Sequence, residues 1–511
     1  MNDKLTDALS EVKEEYIAEA ATHKRRPYWL GAVAAVLAAA VLISIIGGTG
    51  APPAPTDPAL ENPGTTGTAA PSTTVPSTTA PYETTAPAIP EVVQLANRVA
   101  APVLPPMATY PTSDASNYGD AFDAWYESQR QQYDQPEGYA DTLDEFFTAS
   151  IRQFLSGDDN CAYSPVNVYM ALAMLARSAQ GESRQQILDL LAADSMDALT
   201  EQAGHVWNAH YSDDGISTLR LANSLWLSNN SRFEQSTVDD LAQNFFASTF
   251  HGDLNTDALN DQLRQWLNDN TGNLLTEHTQ SVRFPEKTVA ALASTIYFRA
   301  CWDSDFAPQN TANEPFYTAR GEKTVPFMHR DFSPKTYYRG KDYGAIALEM
   351  SGSNTMWLIL PDENSSTAQV LDSSEFMTMV RAPRDWNAKK NYELELSLPK
   401  FDVHSNTNLI DGLKQLGVTD VFDREQADLY SLVTPDSVTG NVYISKADHA
   451  ARVSIDEDGC EAAAYTVLFS EPTSEPPDQL EQLSFILNRP FIFVITSRDN
   501  LPLFAGIVNN P

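Results

Sequence analysis

Basic side chains are scarce in this chain of 511 residues: 33 Lys and Arg stand against 68 Asp and Glu, a formal net charge of −35. Neutralising a phosphate backbone takes clustered Lys and Arg, so this balance argues against nucleic acid as a partner. Cysteine is scarcer still. Cys161, Cys301 and Cys460 are odd in number and far apart, which suits neither a disulfide scaffold nor a closely spaced thiolate metal site. A G-x-S-x-G elbow, an H-E-x-x-H pair and a phosphate-binding glycine loop are also missing, so the short signatures of serine hydrolases, zinc proteases and nucleotide enzymes do not apply. Residues 454–459 place Asp456, Asp458 and Gly459 in the third, fifth and sixth positions of a calcium loop, but Ser454 stands first and Tyr465 twelfth, where carboxylates are needed. Neither a metal nor a cofactor is expected. Apolar surface, by contrast, is plentiful at 42% hydrophobic and 10% aromatic residues, so packing must hold the core.

Long apolar runs are limited to one. Residues 29–46 are uncharged and mostly Ala, Val, Leu and Ile, and as a helix they would span about 27 Å, close to the thickness of a bilayer core. Lys24, Arg25 and Arg26 precede the run and no Lys or Arg follows until Arg98, so the positive-inside bias places residues 1–28 in the cytoplasm and everything after Gly47 outside the cell. A cleaved signal peptide is the competing reading, although the leading segment and the run are both long for one. The expectation is a single-pass transmembrane helix over residues 29–47. Residues 48–90 are rich in Pro, Thr and Ala, with the tandem pentapeptides 71–75 and 76–80, and cannot bury a core. They read as a stalk, either a semi-rigid polyproline II spacer or a disordered tether.

From residue 91 to 511 apolar residues return with helical and strand periods and no further low-complexity break, which predicts one large domain. Ser164 as N-cap, Pro165 in the first turn and the apolar stripe Val166, Tyr169, Met170, Ala173 predict a helix running to Gly181. Residues 182–191 and 259–274 are further helix candidates. Strand signals dominate the second half, at 355–360, 392–398, 441–445, 491–496 and 503–508. Helices early and strands late favour an α+β domain with antiparallel or mixed sheets over a doubly wound fold.

The segment Glu457-Asp458-Gly459-Cys460-Glu461-Ala462-Ala463-Ala464-Tyr465-Thr466 follows a strand and precedes a polar stretch bearing Pro472, Pro476 and Pro477. On composition alone it is an ordinary exposed loop. As a strand, however, one face would carry Cys460, Ala462, Ala464, Thr466, Leu468 and Ser470. Most of these are small, as a segment slipping into an existing sheet above a packed core requires.

This segment resembles the reactive-loop hinge of the serpins, E-x-G-T-E-A-A-A-x-T in inhibitory members. The resemblance continues in order along the chain. Ser164-Pro165 with Ala171-Leu172-Ala173-Met174-Leu175 resembles the start of the family's second helix, and Ile296-Tyr297-Phe298 with Trp302 its breach region. Leu398-Pro399-Lys400-Phe401, Leu416-Gly417-Val418 and Lys446-Ala447-Asp448-His449 follow, then Asn488-Arg489-Pro490-Phe491 and Leu503-Phe504-Ala505-Gly506 ahead of Asn510-Pro511.

The resemblance implies a serpin fold: a large central mixed or antiparallel sheet, further sheets, about nine helices and an exposed reactive loop offered to a protease as bait. It implies an inhibitor rather than an enzyme, with no catalytic residues and no cofactor, working as a monomer. The implied partner is an extracellular serine or cysteine protease, trapped as a covalent acyl complex when the cut loop enters the sheet. A non-inhibitory serpin-fold binding module is the alternative; a hydrolase using His449 has no motif behind it. Counting from Gly459 as the fifteenth residue before the scissile bond puts the cut between Thr473 and Ser474, and Pro472 beside a small Thr suits an elastase-like or subtilisin-like target. Cuts after Leu468 or Phe469 are alternatives.

The implied hinge is Glu457, Gly459, Cys460, Glu461, Ala462, Ala463, Ala464 and Thr466; the implied breach and shutter positions are Ser164, Ser294, Trp302 and His449. Three positions depart from the family's usual residues: Cys460 replaces Thr, Asn167 a serine and Ser294 an asparagine. The sequence therefore predicts a rewired gate. No basic cluster lies in residues 189–205, so heparin-like activation is not expected.

Overall fold

The structure, a computed structural model, describes residues 35–47, 98–104, 107–111, 117–215, 217–373, 375–438, 440–457 and 480–511. In these residues there are two sheets and eleven α-helices, with one main hydrophobic core and a smaller one on the opposite face of the central sheet. The strands in chain order are β1 Ala35–Gly47, β2 Arg98–Ala100, β3 Cys161–Tyr163, β4 Ser212–Asp213, β5 Thr218–Ser228, β6 Ala247–Gly252, β7 Thr288–Ala300, β8 Thr311–Thr318 and β9 Gly321–Arg339. They continue as β10 Tyr343–Met350, β11 Asn354–Pro361, β12 Lys389–Pro399, β13 Phe401–Asn408, β14 Val442–Ile455, β15 Gln482–Ile486, β16 Phe491–Thr496 and β17 Pro502–Val508. The central sheet runs β13-β14-β1-β7-β5-β6-β2, with β4 on β5; the second runs β15-β12-β9-β10-β11-β16-β17-β3, with β8 on β9.

The α+β expectation holds, and local signals mark several elements. Ser164 caps the helix Pro165–Ser178, its hydroxyl accepting from the Asn167 N–H, with Pro165 in the first turn where its missing N–H is harmless. The other two helix candidates settle at Gly181–Leu190 and Asp257–Asp269. All five strand expectations fall on β11, β12, β14, β16 and β17, although β14 runs on to Ile455.

One expectation is overturned. Within the expected membrane-spanning segment, residues 29–47, residues 35–47 form not a helix but the strand β1 in the middle of the central sheet, and residues 29–34 lie outside the described residues. Among the described residues no helix is long and apolar enough to cross a membrane. The physical reason lies in two-sided burial. Ala39, Val41, Ile43 and Ile45 pack into the main core, while Ala38, Ala40 and Leu42 join Leu259, Leu263 and Trp266 on the opposite face. A strand buried on both faces needs no polar alternation, so it reads as a continuous apolar run, the pattern it shares with a transmembrane helix.

Candidate functional site

β1 is antiparallel to β14 on one side and to β7 on the other, so β7 and β14 run parallel to each other with a strand-wide slot between them. The pairing runs from Ala35, opposite Ile455 and Ala300, down to Gly47 opposite Val442. Two clusters of side chains mark the slot, one near its middle and one at the end where β14 finishes.

The middle cluster holds the positions expected to form the shutter, with Ser164, Asn167, Ser294 and His449 all fully buried. The Ser164 N–H donates to Nε2 of His449 (3.1 Å) and the Ser164 hydroxyl to the Leu503 carbonyl (2.7 Å), tying the helix cap to β14 and β17. The Ser294 hydroxyl on β7 donates to Oδ1 of Asn167 (2.7 Å) on the helix. Asn167 and Ser294 thus exchange the residue types usual at their positions while the pair stays bonded. That hydrogen bond bridges helix to strand. Burial pushes the His449 imidazole down to about 3, countered in part by the backbone of Ala40 on β1. The ring is therefore neutral at physiological pH, which suits a structural hydrogen-bonding role.

At the end of β14 the chain is pinned before it enters the loop. Trp302 donates its indole N–H to the Asp456 carbonyl (3.0 Å), and the indole packs edge-on against Phe306. The Glu457 carboxylate accepts from the Thr311 hydroxyl (3.1 Å) and pairs with the ammonium of Lys400, which follows β12. Burial works to raise the Glu457 carboxyl, but Lys400 and Thr311 outweigh it and hold it below the ordinary carboxylate range. Ser454 lies within β14, so the start of residues 454–459 is strand rather than ion-binding loop.

Of the site residues expected from sequence, Ser164, Ser294 and His449 come together at the shutter, while Trp302 and Glu457 meet where β14 ends. Gly459, Cys460, Glu461, Ala462, Ala463, Ala464, Thr466, Thr473 and Ser474 lie outside the described residues. Lys400, Thr311 and β1 were missed. Lys400 was visible only within its four-residue match, because its pairing with Glu457 joins the β12–β13 connection to the end of β14, far apart in the chain. β1 itself carried no signal that separates a strand from a helix.

The buried hydrogen bonds of the middle cluster tie β14 and β7 to the helix Pro165–Ser178 and its cap, and β14 leads directly towards residues 458–479, which lie outside the described residues. The Serpin (serine protease inhibitor) family model matches residues 143–511, and the chain belongs to that family. Horse (Equus caballus) alpha-1-antiproteinase 2 is 29% identical over 366 residues, covering 70% of this chain and 82% of the horse protein. Human (Homo sapiens) neuroserpin is 27% identical over 368 residues, covering 69% and 87%. The thermophilic serpin tengpin in its native state shares the fold with a TM-score of 0.63 at 23% identity, covering 74% of this chain and 95% of tengpin. Members of the family are in general protease inhibitors rather than enzymes.

Proposed function

We propose that this chain is an irreversible suicide-substrate inhibitor of extracellular serine proteases, with cysteine proteases as a secondary class. The observation that supports it best is the unbroken small-residue run Ala462-Ala463-Ala464, placed a few residues after β14 reaches its anchor at Trp302 and Lys400. In this reading the protease hydroxyl attacks the carbonyl of Thr473. The Thr473–Ser474 bond breaks, the new amine leaves on Ser474, and an ester joins Thr473 to the protease. Strand insertion then outruns hydrolysis, driven by ladder hydrogen bonds worth about 0.5–1.5 kcal/mol each and by apolar burial. Pro472 and Thr473 suit a shallow primary pocket, of the elastase or subtilisin type.

We also propose that the domain works outside the cell as a monomer. Recovery of the domain from the extracellular fraction, eluting as a single chain, is the expected outcome, and recovery only from inside cells would count against it. The test of inhibition is incubation with elastase-like, subtilisin-like and trypsin-like proteases. The proposal expects an SDS-resistant covalent complex with one of the first two. A second reading, a non-inhibitory serpin-fold binding module, is favoured by one observation: the slot in the sheet already holds β1. Loop cleavage without complex formation under every condition would select it.

A further inference from the structure

We propose that β1 is an autoinhibitory plug: it occupies the strand position that the cut loop must take, and protease trapping requires it to leave. The inference rests on the inhibitor reading above and adds a regulatory state to it.

Geometry carries it first. A segment that turns back after Ile455 and enters the sheet beside β14 must run antiparallel to β14 and meet β7 on its other edge. β1 already has both relations, along its 13 residues. Residues 460–472, between the hinge glycine and the residue before Thr473, are the same length. The sequence adds a second, independent observation. β1 reads Ala38-Ala39-Ala40-Val41-Leu42-Ile43-Ser44, and the loop reads Ala462-Ala463-Ala464, then, after two residues, Val467-Leu468-Phe469-Ser470. Three alanines followed by Val-Leu, a bulky apolar residue and Ser thus occur twice in the chain. One copy sits in the slot, and the other is the segment that inhibition sends there.

The seat is strong enough to hold and imperfect enough to release. Val41, Ile43 and Ile45 are almost completely buried, so β1 is held by the same apolar burial that would drive loop entry. Lower down, the register with β14 shifts between Ser44 and Ile45, leaving Ser445 out of the pairing. The buried hydroxyls of Ser44 and Ser445 have no hydrogen-bond partner, an unfavourable term that withdrawal of β1 would relieve. Departure leaves the rest of the sheet whole, because β7 and β14 run in the same direction and can pair as parallel neighbours. Fifty residues separate Gly47 from Arg98, so the strand can leave without pulling on β2.

The test locks the plug in the full-length chain. Ala40 lies opposite Ala450, so the double variant Ala40→Cys, Ala450→Cys should form a disulfide under mild oxidation, identified by mass spectrometry against the native cysteines. Failure to form it in the folded chain overturns occupancy of the slot and leaves the inhibitor reading standing. With the disulfide formed, trapping of an elastase-like or subtilisin-like protease should fall about a hundredfold and return on reduction. Equal trapping by the oxidised and reduced forms overturns the autoinhibitory role. In a second variant, Val41→Asp with Ile43→Asp, two buried charges should drive β1 out and raise trapping above that of the unaltered chain. If that variant and the reduced disulfide variant both have their loops cut but trap nothing, the inhibitor reading fails instead.

Discussion

Replacing Ile43 by alanine separates a strand in the sheet from a tether outside it. Ile43 is 1% exposed and lies between Leu292 of β7 and Ala447 of β14 in the main core. Removing its outer carbons forfeits roughly 0.8 kcal/mol per methylene and leaves a cavity, so the expected loss is about 2–5 kcal/mol. That loss has a ceiling. Once the cost exceeds the free energy that seats β1, the strand leaves and the remaining domain sets the stability. The assay is urea unfolding of the detergent-free full-length chain followed by tryptophan fluorescence. Val103→Ala is the control, since Val103 is 90% exposed and its truncation should cost within about 0.5 kcal/mol. A shift for Ile43→Ala no larger than the control would refute the placement of β1.

Three further outcomes are expected. With its folded pKa near 3 and an ordinary value of 6.5, His449 binds a proton more readily unfolded, so its stabilising contribution is complete above pH 6.5 and is lost as pH falls towards 3. The slope is about 1.4 kcal/mol per pH unit, and His449→Gln should flatten the fall in unfolding midpoint between pH 6.5 and 4, leaving the share due to buried His210. Ser294→Ala removes the donor to Asn167 and should cost about 1–3 kcal/mol in urea unfolding, whereas Ser294→Ala with Asn167→Ala should recover part of that loss. Ala462→Arg should turn the inhibitor into a substrate that is cut without forming a complex, because an unpaired charge would stall strand entry; unchanged trapping would count against the direction of insertion.

Legibility in the sequence followed the range of the interactions involved. The helix at Pro165 was readable because its cap and proline are local, and β16 and β17 because their side chains are dense in branched and aromatic residues. The shutter residues were readable through family resemblance, but the way Asn167 and Ser294 compensate required knowing that residues 127 positions apart share one hydrogen bond. β9, a 19-residue strand of mostly exposed and half-buried residues, has no clean alternation and was not anticipated. β1 failed for the opposite reason. Its apolar signal was strong, but water is excluded from both faces of a central strand as it is from a bilayer-spanning helix, and composition does not distinguish the two solvents.

The most direct test is hydrogen–deuterium exchange by mass spectrometry on two segments of the full-length chain, before and after it captures a protease. In the free chain, residues 35–47 should be protected and residues 460–472 should exchange rapidly. In the covalent complex the pattern should invert, with 460–472 protected and 35–47 exposed. A complex that forms while residues 35–47 keep their protection, or while residues 460–472 stay unprotected, would contradict the exchange of one strand for the other.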